Sequence, residues 1–289
     1  MKRDSRLPLR GSSQQQSILK IVTLIVLLAP AIWMLLAFQL DWFGAKPFER
    51  LIEEAGSFAI RFLLLSLAIS PARSILRWPS LISIRRRVGL ASFFYGIAHL
   101  CLFALDRELG PLHLASEIFR YPVLLIGFAT LISLLPLAVT SSDPMIKRLG
   151  PHRWRLLHRS VYVIAALGLL HFILESPNAS IEPLVLGGCF FWLMAYRLWR
   201  WRASLGLPAI LVIGMASTAA TALAEALFLS LKLGAPLTGI LVANLGVATG
   251  LRPAQLVLCL AITVLIAAMI RAIGTRPARR RPTRATSAA

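Results

Sequence analysis

The chain has 289 residues, 57% of them hydrophobic and only 15% charged. Water-soluble domains sit near 45–50% apolar with about 25% charged residues, so an ordinary soluble domain is excluded. A formal net charge of +19 would point to nucleic acid in a soluble protein. Here the basic residues flank apolar runs, so they read as a topology signal and as attraction to anionic lipid heads, with nucleic-acid binding much the weaker alternative.

Residues 1–16, MKRDSRLPLRGSSQQQ, form a polar, basic tail. The apolar run that follows is too long for a signal-peptide core, so 17–40 reads as a first span that stays attached. Further candidate spans fall at 56–72, 88–105, 117–139, 158–174, 183–199, 205–231 and 253–272. GAKPFERLIEEAG reads as a turn and short helix leading into the second span, and ISPARSILRWPS as a Pro-punctuated exit from it. TSSDPMIKRLGPHRW is a turn with a basic interfacial face, closed by Trp154 as an interfacial aromatic. No connection is long enough to fold as a soluble domain. After Arg202 the composition shifts to Ala, Leu, Gly and Thr, with Glu225 and Lys232 as polar exceptions. The Gly-rich stretch 233–252 reads as a re-entrant or short broken span, so seven spans is the alternative count.

The expected fold is an all-α polytopic membrane helix bundle of about eight spans. It divides into a tail (1–16), a membrane unit (17–202), an additional membrane segment (203–273) and a basic tail (274–289). Most of the 31 Lys and Arg fall in the tails and alternate connections, and most of the acids fall on the other side. Basic loops face the cytoplasm, so both termini are expected there. Cys101, Cys189 and Cys259 lie far apart in apolar spans and read as small packing residues. No CxxCH or cysteine cluster is present.

Of the five histidines, His113 and His152 fall in connections and read as solvated. His99, His158 and His171 lie in or at the edge of spans, where a polar imidazole is costly unless it has a partner. At about 1.5 Å of rise per residue, His99 and His171 sit roughly 17–20 Å above the cytoplasmic starts of two parallel helices. His158 lies about 20 Å lower on the helix of His171. Two level imidazoles facing each other across a bundle suit the two axial positions of a b-type haem. The alternative is a proton-coupled transporter, with His99, His171 and Glu225 as relays. Arg61, near one end of the second span, is a candidate partner for a haem propionate or a snorkelling cation.

RRRVGLASFFYGIAHL, TSSDPMIKRLGPHRWRLLHRSVYV and LLHFIL resemble the ferric-reductase-like membrane domain. More narrowly, they resemble the haem-binding membrane subunits of bacterial periplasmic protein-methionine-sulfoxide reductases, over roughly residues 18–200. The resemblance implies haem ligation by His99, His171 and His158, one or two haems b, and FMN, for which no motif is visible. It also implies an inner-membrane electron-transfer subunit. The donor would be a quinol or a flavin reductase, and the partner a periplasmic molybdenum-cofactor enzyme. Two-haem relatives carry a further histidine where this chain has Arg85, a candidate contact for a lower haem. No nicotinamide- or flavin-binding module follows the membrane part, which disfavours a self-contained reductase. A haem-free assembly subunit and an electron carrier for another partner are the remaining readings.

Overall fold

The computed structural model describes residues 11–176, 181–246 and 250–273; the expected tail 274–289 and residues 1–10 of the expected tail 1–16 lie outside them, and 11–16 belong to the first helix. Among the described residues every regular element is helical, and eight helices are long and apolar enough to cross a membrane. The chain is a multi-pass α-helical membrane protein. The spans are α1 (Gly11–Gln39), α2 (Pro47–Ile75), α3 (Arg85–Asp106), α5 (Pro122–Val139), α6 (Asp143–Arg159) continuing as α7 (Val161–Glu175), α8 (Ile181–Arg202), α9 (Leu207–Leu233) and α11 (Pro253–Ile273). A 3₁₀ turn (Pro79–Ile84) precedes α3, and two short helices, α4 (Pro111–Arg120) and α10 (Leu237–Ala243), lie between spans.

Two expected boundaries shift, each for a local reason. The candidate span 117–139 is broken at Tyr121, because a residue before proline is driven to extended backbone; Tyr121 has φ −109° and ψ 113°. The helix of His158 begins well before residue 158, bends at Gly150 (φ 75°) and then continues to Glu175. The stretch 233–252 contains only the single short helix α10 among its described residues. Cys101 and Cys259 face outward instead of packing inside.

In lipid, apolar burial does not drive helices together; close packing and interhelical hydrogen bonds do. Prolines inside the spans show how the freed backbone groups are satisfied. Beside Pro30 in α1, the Tyr95 hydroxyl of α3 takes the place of one helical rung. It accepts from Ala31 N–H at 2.9 Å and donates to the Leu27 carbonyl at 2.9 Å. In α2, Pro71 has no N–H to give the Leu67 carbonyl. Arg197 of α8 donates to that oxygen instead, at 2.7 Å.

The helices after Arg202 are not a detached unit. A Cβ on Gly188 of α8 would collide with Thr221 of α9 and lie 2.7 Å from Val257 of α11. One on Gly214 of α9 would lie 2.9 Å from Ala261 of α11. Close approach of these three helices therefore depends on the two glycines. Glu225, a polar exception in the apolar sequence after Arg202, is buried with Arg252 at 3.2 Å and the Asn244 amide at 2.8 Å. Arg252 comes from the segment before α11, so the carboxylate ties α9 to the chain that leads into the last span.

Candidate functional site

α2, α3, α5 and α7 enclose a cavity of about 900 Å³. This lies toward the upper end of the ~300–1,000 Å³ range of ligand clefts. His99 of α3 and His171 of α7 both line it, with ring centroids 6.3 Å apart and planes at 77°. Equal height, expected from helix rise alone, is thus realised as a facing pair.

Each ring is held from behind. His99 Nδ1 lies 2.8 Å from the carbonyl of Ile52 in α2, and His171 Nδ1 lies 3.0 Å from that of Val123 in α5. A carbonyl only accepts, so each Nδ1 carries the proton and donates it, which leaves the Nε2 lone pair of each ring free to bind a metal. The approach is possible because the residue one turn beyond each carbonyl is glycine. A Cβ on Gly56 would lie 3.0 Å from His99 Nδ1, and one on Gly127 would lie 2.7 Å from His171 Cε1. Two more glycines, Gly96 and Gly168, stand three residues before the two histidines and also line the cavity. The matching strings GIAH and GLLH are a signal that reading by depth alone passes over.

Among the described residues, no group of three or more His, Cys, Asp or Glu could hold a bare metal ion. Two imidazoles cannot satisfy a tetrahedral site that needs four protein ligands. They suit a metal that brings its own equatorial donors. Imidazoles bound at about 2 Å on opposite faces of one metal put their ring centres about 6–6.5 Å apart, the separation seen here. A b-type haem fits this donor set, and the four glycines clear Cβ atoms from the walls around it.

One end of the cavity is charged, with Glu54, Arg107, Glu175 and Glu182 among its lining residues. Arg61 holds both oxygens of Glu182 at 2.5 and 2.8 Å and lies 3.8 Å from Glu54. Its fork is thus engaged by carboxylates of the protein itself.

His158, expected about 20 Å below this pair, does not line the cavity. Its ring stacks on Trp154 at 4.1 Å, and its Nε2 lies 3.1 Å from the Thr140 hydroxyl. That hydroxyl's one proton goes to the Pro136 carbonyl at 2.6 Å, so His158 Nε2 is the donor. The tautomer is opposite to that of the facing pair. Arg85 opens α3 within electrostatic range of His158, Tyr162 and Arg197. Glu225 is absent from the cavity wall, as are the exposed His113 and His152.

The family model for the ferric reductase like transmembrane component matches residues 55–169, a stretch that contains His99 and ends two residues before His171. A protein-methionine-sulfoxide reductase heme-binding subunit MsrQ from Polaromonas naphthalenivorans is 38% identical over 178 residues, 61% of this chain and 81% of its own. The MsrQ of Caulobacter vibrioides is 34% identical over 194 residues, covering 67% and 92%. The magnetosome protein MamZ of Magnetospirillum gryphiswaldense is 38% identical over 160 residues, but only 25% of that longer protein is covered. No solved structure matches. Identity at this level across most of the relatives' length places the chain in the MsrQ family of protein-methionine-sulfoxide reductase heme-binding subunits.

Proposed function

We propose that this protein is a membrane electron carrier, delivering electrons through one b-type haem to a periplasmic protein-methionine-sulfoxide reductase. The observation that carries the reading is the facing pair His99 and His171, each with Nδ1 on a backbone carbonyl and Nε2 free. A haem between them supplies one-electron chemistry within the membrane. The chain's own part is to hold the two rings at fixed height and tautomer, and to keep the walls free of Cβ atoms. Hydrogen bonds from Nδ1 to the carbonyls also raise the basicity of each ligand nitrogen.

The charged end of the cavity lies beside the 41–55 and 106–120 connections, which the distribution of charge assigns to the periplasm. On this reading electrons leave there toward the partner and enter from the opposite face, in a bacterial inner membrane with both termini cytoplasmic. The donor is a quinol or a flavin reductase. FMN, and the partner's molybdenum cofactor, enter on the resemblance alone. His158, Arg85 and Arg61 act around the site: the first two at the entry face, and Arg61 by fixing α2 to Glu182 at the mouth.

The test is the reduced-minus-oxidised absorption spectrum of the detergent-purified protein. Wild type and His113→Ala should give one low-spin b-type signal, and His99→Ala and His171→Ala should each abolish it. A wild-type protein purified without haem and unable to bind added hemin would overturn the reading.

A further inference from the structure

A second cleft, about 610 Å³, opens between the ends of α2 and α8 far along both helices from the Arg61–Glu182 pair. Four arginines line it: Arg73 and Arg77 from α2 and the turn after it, Arg197 and Arg200 from α8. Ser70, Ser74 and Tyr196 supply hydroxyls, and no carboxylate is in the wall. Among the described residues none of the four guanidiniums is in an ion pair.

The structural duties of these cations can be separated. Arg197 is used by the bundle: it caps the Leu67 carbonyl and the Leu193 carbonyl at 2.7 Å each and lies over the Tyr162 ring. Arg200 donates to Ser74 Oγ at 2.7 Å. Arg73 and Arg77 are exposed, with no side-chain partner among the described residues. Both helices end here, and each C-terminus contributes roughly half a negative charge. Two such ends neutralise about one of four guanidiniums, which leaves a large positive excess.

Tyr196 is the independent observation. It is 4% exposed and lines the cleft, yet its hydroxyl has no hydrogen-bond partner. A buried hydroxyl without a partner is rare and costly. Guanidinium forks match phosphate oxygens in two-pronged geometry, and a hydroxyl can donate to a third oxygen. Basic pockets between spans at a membrane face suit lipid phosphates.

We propose that this cleft binds a phosphate group, either the headgroup of an anionic phospholipid or a free phosphate ion. Arg73 and Arg77 supply the charge and Tyr196 the buried donor. The site is independent of the haem reading, and circular dichroism of each variant reports on folding in the test.

Native mass spectrometry of the delipidated, detergent-purified full chain would be titrated with phosphatidylglycerol or phosphatidylcholine. Inorganic phosphate would be titrated separately by calorimetry and as a competitor. Charge-assisted hydrogen bonds contribute on the order of a factor of ten each. Phosphatidylglycerol should therefore bind wild type at least about tenfold more tightly than phosphatidylcholine. The double variant Arg73→Gln/Arg77→Gln should lose that preference, and Tyr196→Phe should weaken binding severalfold while keeping the shape of the wall. Saturation by inorganic phosphate, with competition against phosphatidylglycerol, identifies the free ion as ligand; binding of phosphatidylglycerol alone identifies the headgroup. Equal retention of the two lipids with no heat from phosphate would overturn the proposal. So would unchanged binding in Tyr196→Phe together with an unchanged lipid preference in the folded double variant.

Discussion

His171 reaches the Val123 carbonyl across the face of Gly127, and the 3.0 Å bond exists because no Cβ stands in the way. His99, the Ile52 carbonyl and Gly56 repeat the relationship on the other side of the cavity. Carbonyl, glycine one turn on, and imidazole thus form one unit used twice, which fixes both rings by the same device.

That unit predicts the effect of adding one carbon. Gly127→Ala puts a Cβ within 2.7–2.9 Å of three ring atoms of His171, so the ring must turn off its carbonyl. Loss of such a supporting hydrogen bond lowers metal affinity roughly 10–100-fold. Hemin titration should show a loss of that order. Gly56→Ala, with its closest approach at 3.0 Å, should lose less.

His158→Ala should leave the haem spectrum intact, since its Nε2 is committed to Thr140. It should slow reduction by a quinol or flavin donor severalfold, because it removes a polar group and its Trp154 stack from the entry face. Stopped-flow absorption reads both; unchanged content with an unchanged rate would take His158 out of the electron path.

Arg252→Ala strands the Glu225 carboxylate inside the bundle. Removing one partner of a buried pair costs about 3–5 kcal/mol, so thermal unfolding in detergent should begin well below wild type. Glu225→Leu/Arg252→Met, which removes both charges, should recover most of the loss. A single variant as stable as wild type would show that the pair contributes little.

Tyr95→Phe removes the hydroxyl that bridges Leu27 and Ala31 beside Pro30. An unsatisfied pair of backbone groups costs about 1–3 kcal/mol, seen as a drop of several degrees in Tm with no change in the haem signal.

Reporter fusions test orientation. A reporter active only in the cytoplasm should be active after residue 289, and a periplasmic one when inserted in the 41–46 connection. The reverse pattern would invert the sidedness read from the basic residues.

The spans are legible in the sequence because lipid imposes both length and apolarity on every crossing. The facing histidines are legible because helix rise turns position into height. Their partners are not. Arg61 and Glu182 lie 121 residues apart, and Glu225 and Arg252 lie 27 apart; only the packing of helices brings such residues together. The commitment of His158 to Thr140 is hidden for the same reason, since the hydroxyl's proton is claimed by a carbonyl on its own helix. The glycines could have been noticed as the repeated Gly-x-x-His. Membrane helices are rich in glycine for packing reasons, however, and this masks those that make room for a ring.

α2 and α8 are pinned together at two depths, by Arg61 with Glu182 toward one face and by Arg197 with the Leu67 carbonyl toward the other. A shaft held by one pin can still pivot; held by two, it can neither pivot nor slide. Moving α8 by a single turn, about 5.4 Å, would release both pins at once and leave a charge and a carbonyl bare in hydrocarbon. The helix that backs His99 therefore has one permitted height, and the spacing of the two rings inherits its tolerance from a pair of arginines that touch neither of them.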